Sequence, residues 1–222
     1  MHEVSRPFDS RRLALSATLI ALAGATACSG ERRSNDLGVA DGWQGAVLEN
    51  PVPKVDFTLT DTEGQPFHFA SETEGSLTLL FFGYTNCPDI CPIHLASIAA
   101  VMRDFPHELR SRIKVVFVST DPQRDTPERL RAWLDGFDKS FVGLLGTVGQ
   151  VNDIERSFGL APSFVDPAQD PESYVVGHAA QVLAFTTDNL AHIAYPFGTR
   201  QSDWAKDLPR LARNGFGPGE AR

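Results

Sequence analysis

Cys87 and Cys91 stand one helical turn apart in the run Phe82-Gly83-Tyr84-Thr85-Asn86-Cys87-Pro88-Asp89-Ile90-Cys91-Pro92. The run follows an apolar strand-like segment and opens a helical pattern, so both thiols face the exposed N–H groups and positive end of a helix. That setting lowers thiol pKa values and strengthens the thiolate as nucleophile and ligand. In a helix this spacing holds Cβ atoms about 5–6 Å apart, whereas a disulfide needs about 3.5–4.5 Å. A metal with thiolate bonds of roughly 2.3 Å spans the wider gap with less distortion. The prolines qualify the reading. Pro88 suits a first helical position, while Pro92 has no N–H and is expected to push Cys91 out of the helical region, loosening the turn. A loose turn also lets the pair close as a disulfide, so both chemistries stay open.

Soft thiolates select Cu(I) or zinc, and imidazole suits copper in either oxidation state. A Cys2His set would therefore carry copper through a redox change. Of the six histidines, His2 lies in the N-terminal leader, His68 in a hairpin pattern, His107 at the far end of the cysteine helix and His192 within a late hairpin. His94, three residues past Cys91, shares a helix side with Ile90 and Ile98 and reads better as a packed histidine than as a ligand. His178, in Val175-Val176-Gly177-His178-Ala179-Ala180, precedes a strand pattern. The residues alone leave it evenly divided between ligand and structural side chain.

The elements that position these groups alternate. Val55 to Leu59 and Pro66 to Phe69 flank the turn Asp61-Thr62-Glu63-Gly64 and read as a hairpin. Leu77 to Phe82 and Ile113 to Ser119 are nearly continuous apolar runs, as in strands covered on both faces. Between them Ile90, Ile93, Ile98, Val101, Met102 and Phe105 recur at helical spacing, completing a right-handed parallel strand–helix–strand unit. Thr126-Pro127-Glu128 opens another helix. A short strand at 141–145, a helix from Val148 to Phe158 ending at Gly159, strands at 181–185 and 191–195 around Thr187-Asp188-Asn189, and a last helix from Ser202 to Ala212 follow. The predicted class is α/β and thioredoxin-like: a mixed central sheet flanked by helices, with an N-terminal hairpin and a late hairpin insertion.

The chain of 222 residues, 42% hydrophobic, suffices for one good core. Arg6, Arg11 and Arg12 precede an apolar stretch, Leu13 to Ala27, too short for a confident membrane span. Ala25-Thr26-Ala27-Cys28-Ser29-Gly30 resembles a bacterial lipobox, although Ala25 stands where Leu is usual. The expectation is a lipoprotein signal at 1–27, an acylated Cys28 and a polar tether to residue 50. The folded domain then spans 51–213 and a tail 214–222. Ordinary cleavage after Ala27, leaving Cys28 a free thiol, is the alternative. Either cut removes three Arg and two acids, taking the net charge from −8 to −9, which argues against a nucleic-acid partner. With Cys28 acylated, Cys87 and Cys91 remain as a lone pair outside the cytoplasm, either a labile disulfide or held by metal.

The cysteine run resembles the SCO/SenC family. So do Asn50-Pro51 with Asp56-Phe57-Thr58-Leu59-Thr60-Asp61, and Val118-Ser119-Thr120-Asp121-Pro122-Gln123-Arg124-Asp125-Thr126-Pro127. The late His178 followed by a hairpin and Pro196-Phe197-Gly198-Thr199 extend the likeness over residues 42–213. The resemblance implies a membrane-tethered, thioredoxin-like copper protein on the outer face of the cytoplasmic membrane. It would help to build the dinuclear copper centre of cytochrome c oxidase, its partners being the copper-bearing subunit and other copper-handling proteins. It also implies copper ligation by Cys87, Cys91 and His178. Asp121, Arg124 and Asp125 could shape the surface near the site, but loop closure and capping explain them nearly as well. Gly177 and Ile93 depart from the Asp and Thr that many relatives carry there, which could alter histidine basicity or docking. A metallochaperone leads. A thiol-disulfide oxidoreductase that reduces the oxidase's copper-site cysteines and a copper or redox sensor are the alternatives, since the same thiolates serve all three.

Overall fold

The structure, a computed structural model, describes residues 42–166, 169–170 and 173–217. The leader at 1–27, Cys28, most of the expected tether and the last five residues lie outside the described residues. No described helix is long and apolar enough to cross a membrane.

The elements run β1 (Ala46–Pro53), β2 (Thr58–Asp61), β3 (Pro66–His68), a single turn α1 (Phe69–Glu72), β4 (Leu77–Gly83), α2 (Ile90–Arg103), the short α3 (His107–Arg110) and β5 (Ile113–Ser119). Then follow α4 (Pro127–Asp135), β6 (Val142–Leu145), α5 (Val148–Ser157), β7 (Phe164–Val165), β8 (Val176–Gly177), β9 (Val182–Phe185), β10 (Leu190–Tyr195) and α6 (Gln201–Asn214). Eight strands form one mixed sheet in the order β1-β10-β9-β4-β5-β6-β2-β3. β4 pairs parallel with β5 from Leu77–Ile113 to Gly83–Ser119, and β5 pairs parallel with β6. β7 and β8 make a separate two-stranded ribbon.

The apolar runs of β4 and β5 are buried on both faces because helices cover both. Leu77, Leu79, Phe81, Val115 and Phe117 pack with α2, α4 and α6, whereas Leu80, Phe82, Val116 and Val118 pack with α5 and Phe69. The starts of α4 and α5 are capped by local side chains. Thr126 accepts from the Arg129 N–H with Pro127 just inside the helix, and Thr147 forms a capping box with Gln150. Gly159 ends α5 at φ 72°.

Two boundaries need correction. Order begins before Pro51: residues 46–50, expected in the tether, belong to β1, which pairs with β10 at the sheet edge. Trp43 is buried, stacked on Phe216 and covered by the Arg210 guanidinium at 3.8 Å. The fully buried Asp207 of α6 accepts the Gln44 and Gly45 N–H groups at 2.8 and 3.0 Å and the Tyr195 hydroxyl at 3.1 Å. The start of the expected tail is likewise tied in: Asn214 ends α6, and the Phe216 ring stacks on His192 as well as on Trp43.

Candidate metal centre

β4 delivers the chain to the site through Gly83, whose missing side chain is a requirement. A Cβ there would sit 2.5 Å from Cys91 Sγ and 3.0 Å from the Phe117 ring. The following turn is clamped from the Asp-Pro loop. Asp125, itself buried, accepts from the Thr85 amide (3.1 Å), the Thr85 hydroxyl (2.5 Å) and the Ser119 hydroxyl (2.6 Å). Arg129 donates to Thr85 Oγ1 at 2.9 Å and to the Asn86 side chain. These bonds give Asp125 a positioning role beyond loop closure.

The helix start differs from the expectation for both prolines. Asp89, not a residue before Pro88, is the N-cap, its carboxylate accepting from the Ile90 N–H at 2.6 Å, and α2 begins at Ile90. Pro92 therefore falls in the first turn, where its missing N–H has no intrahelical acceptor to lose. Cys91 is helical despite preceding a proline, so the turn is closed rather than loose. The Cys91 N–H points at Cys87 Sγ, 3.4 Å away. Cys91 is fully buried, Cys87 nearly so, and both thiols are free.

The β7–β8 ribbon carries His178 over this turn. Its Nε2 lies 3.6 Å from Cys91 Sγ and 3.9 Å from Cys87 Sγ. Its Nδ1 lies 3.0 Å from the Ala179 carbonyl, which can only accept, so the proton belongs on Nδ1 and the Nε2 lone pair faces the sulfurs. The ring stands edge-on to Tyr84 at 5.7 Å and to Phe81 at 6.1 Å. The three ligand atoms lie within 4.8 Å of one another, a group that could hold a metal ion. A three-coordinate ion with bonds of about 2.3 Å to sulfur and about 2.0 Å to nitrogen sets sulfur and nitrogen roughly 3.7 Å apart. The observed 3.6 and 3.9 Å fit that ion.

The two sulfurs are electrostatically unlike. A hydrogen bond from the Cys91 thiol, with further ones from the Cys91 and Asp89 amides, outweighs burial and holds the Cys87 pKa down to about 4. Burial, reinforced by the thiolate beside it, pushes Cys91 far up. The reduced pair is thus one thiolate and one thiol, and a soft ion that displaces the remaining proton gains two thiolates.

The other described histidines fall where the sequence reading puts them. His94 is buried in α2 with its Nε2 3.2 Å from the Ala180 carbonyl, and burial lowers its pKa. It packs against Phe81 and Trp204 and is outside the ligand group. His68 bonds Thr58, His192 bonds Asp188, and His107 opens α3. Two residues near the site have no sequence signal. Phe164 lies across Gly177, where a Cβ would meet its ring at 2.5 Å, and is itself 66% exposed. Tyr174 is tied to Asp121 and Arg124. The departure at Gly177 thus places an aromatic ring beside the position preceding His178. Ile93, the other departure, is exposed.

Comparison with known proteins agrees with this architecture. A Stutzerimonas stutzeri protein named for copper binding is 33% identical over 169 residues, 75% of this chain and 79% of its own length. The SCO2-like protein of Rickettsia prowazekii is 34% identical over 124 residues, covering 56% of this chain and only 60% of that relative. Apo Sco1 of Thermus thermophilus superposes with a TM-score of 0.68 at 32% identity, over 78% of this chain and 99% of that one. Bradyrhizobium japonicum ScoI with copper bound does so with a TM-score of 0.62 at 30% identity, over 71% and 98%. The fold is thioredoxin-like, as the sequence predicts. The SCO1/SenC family profile matches residues 48–213, and this chain belongs to that family.

Proposed function

We propose that this chain is an extracytoplasmic copper-binding protein that carries copper to the copper-bearing subunit of cytochrome c oxidase, with Cys87, Cys91 and His178 as its ligands. The observation that carries the reading is the donor set: two sulfurs and an imidazole Nε2 within 4.8 Å of one another, the nitrogen 3.6 and 3.9 Å from the sulfurs as a three-coordinate ion requires. Soft sulfur favours Cu(I), and imidazole lets the same site accept Cu(II). Copper is bound in the structure of the Bradyrhizobium relative, which supports the choice of ion. The oxidase as destination rests on family membership. In this reading Cys28 is acylated and holds the domain on the outer face of the cytoplasmic membrane.

Titration of the reduced protein under anaerobic conditions tests the site. One copper per chain is expected, with His178→Ala weakening Cu(II) far more than Cu(I) because two thiolates still satisfy the monovalent ion. Unchanged Cu(II) affinity removes His178 from the ligand set. Mass spectrometry of the mature N-terminus decides the anchor, and an unmodified Cys28 rules it out. A strain lacking the protein should lose oxidase activity under copper scarcity and recover part of it with added copper.

A second reading, reduction of the target's cysteines, is favoured by the polarity of the pair. An acidic thiolate at Cys87 beside a buried thiol at Cys91 is also the arrangement of an attacking and a resolving cysteine. Dithiol exchange with an oxidised target faster than copper transfer to a reduced one would select it.

A further inference from the structure

The ribbon that carries His178 is too short to place it. β8 is two residues long and pairs only with Phe164 and Val165, so the sheet that fixes the cysteines does not fix the histidine. The placement is supplied by side chains from the Asp-Pro loop. Four residues before His178, the Tyr174 hydroxyl donates to Asp121 Oδ1 at 2.6 Å, and the Tyr174 carbonyl accepts from Arg124 Nη1 at 2.9 Å. Arg124 Nε donates to Asp121 Oδ2 at 2.5 Å, and its guanidinium lies 3.6 Å above the Tyr174 ring. The same guanidinium sits 5.7 Å from the Tyr84 ring, against which the His178 ring stands edge-on at 5.7 Å. Asp121 and Tyr174 are buried.

Closure of the Asp-Pro loop does not require any of this. The backbone bonds from the Arg124 and Asp125 N–H groups to the Asp121 carbonyl already make the turn. Arg124 instead spends its fork and its flat face on the histidine-bearing strand and on the aromatic ring beside His178. Lysine, a point charge, cannot make the carboxylate bond, the carbonyl bond and the ring contact together.

We propose that Arg124, braced by Asp121, is the positioning residue that holds His178 within ligand distance of Cys87 and Cys91, acting through Tyr174 and Tyr84. This rests on the reading of His178 as a ligand. Downstream, the contact of His94 with the Ala180 carbonyl closes the other end of the same segment, so that His178 is slung between two ties.

The test compares Arg124→Lys, Arg124→Ala and Tyr174→Phe with His178→Ala, each in the full chain. In the reduced protein without copper, proton NMR contacts between the His178 and Tyr84 rings should vanish in Arg124→Ala, while the amide spectrum of β4 and α2 is retained. With copper, the Cu(II) dissociation constant should rise about 10- to 100-fold, as for other groups that orient a ligand. The thiolate-to-Cu(II) absorption should weaken, and Cu(I) affinity should hold. Arg124→Lys should rescue little, and Tyr174→Phe, which keeps the ring, should lose less. Should Arg124→Ala fail to fold, Arg124→Lys and Tyr174→Phe carry the test by the same readouts. Ring contacts and Cu(II) affinity like the parent's in the folded Arg124 variants overturn the proposal while leaving the ligand set intact. A His178→Ala protein that binds Cu(II) like the parent overturns the ligand set itself.

Discussion

The two halves of the site are built differently. Cys87 lies on the turn after the central strand β4 and Cys91 in the first turn of a fourteen-residue helix, with Asp125, Asp89 and Gly83 fixing the turn between strand and helix. His178 hangs on a two-residue ribbon held by side-chain bonds from other elements. In the proposed site, a sulfur half fixed by sheet and helix and an imidazole half held by side-chain ties would retain a soft ion through sulfur while the third donor adapts. Such a division suits the proposed carrier role, in which the ion is both held and released.

The largest effect that sharpens this comparison concerns reactivity. With the Cys87 pKa at about 4 rather than the ordinary 9.0, alkylation of the reduced protein should stay nearly flat from pH 8 to pH 5, where an ordinary thiol slows about tenfold per pH unit. The principal cause is the Cys91 thiol, so His178→Ala should leave most of this profile in place, whereas Cys91→Ser should raise the apparent pKa. Stability follows with a definite sign. Cys87, depressed on folding, contributes stability that is fully present above pH 9 and lost as pH falls toward 4. Cys91, raised on folding, contributes stability present below about 9 and lost above it. Chemical denaturation of the reduced protein should therefore find the thiol contribution greatest near pH 9, and a monotonic rise beyond it would contradict the assignment.

Asp125→Ala comes next. It strips the acceptor from three donors, two of them on Thr85, and should cost about 3 kcal/mol in denaturant unfolding together with the metal site. Two glycines then compare the halves directly, since a Cβ at Gly83 or Gly177 would come 2.5 Å from a neighbour. At Gly83 that neighbour is the fully buried Cys91, backed by Phe117, so Gly83→Ala should cost about 1–3 kcal/mol. At Gly177 it is the exposed Phe164 ring, free to swing outward, so Gly177→Ala should cost less than about 1 kcal/mol. Equal costs, measured by unfolding, would mean that the histidine half is as stiff as the cysteine half.

The sequence carried the stiff half better than the pliable one for the same physical reason. The doubly buried strands β4 and β5 declare themselves as apolar runs, and Thr126-Pro127 and Gly159 mark helix ends by local chemistry. β1 hid because its sequence, with Asn50, Pro51 and Pro53, is that of a polar linker. It is legible as a strand only once β10 supplies an edge, where proline is tolerated and the register breaks between Val47 and Val52. The ribbon of β7 and β8 is too short for periodicity. His178 lies 91 positions beyond Cys87, so no local pattern joins them, and only the family resemblance raised it above the other histidines. Helix entry at Asp89 is hidden in the sequence because Pro88 offers a plausible first position, and the capping carboxylate beside it competes better.

The ties at residues 43 to 45 have a mechanical consequence. A pull on the chain preceding Gly42 meets Trp43 between Arg210 and Phe216, and then the Asp207 carboxylate, before it reaches any strand. Beyond these it must strip β1 from β10, and β10 and β9 still separate that edge from β4. Tension is therefore delivered to α6 and the sheet margin. The cysteine turn joins β4 to α2 and takes no part in these ties.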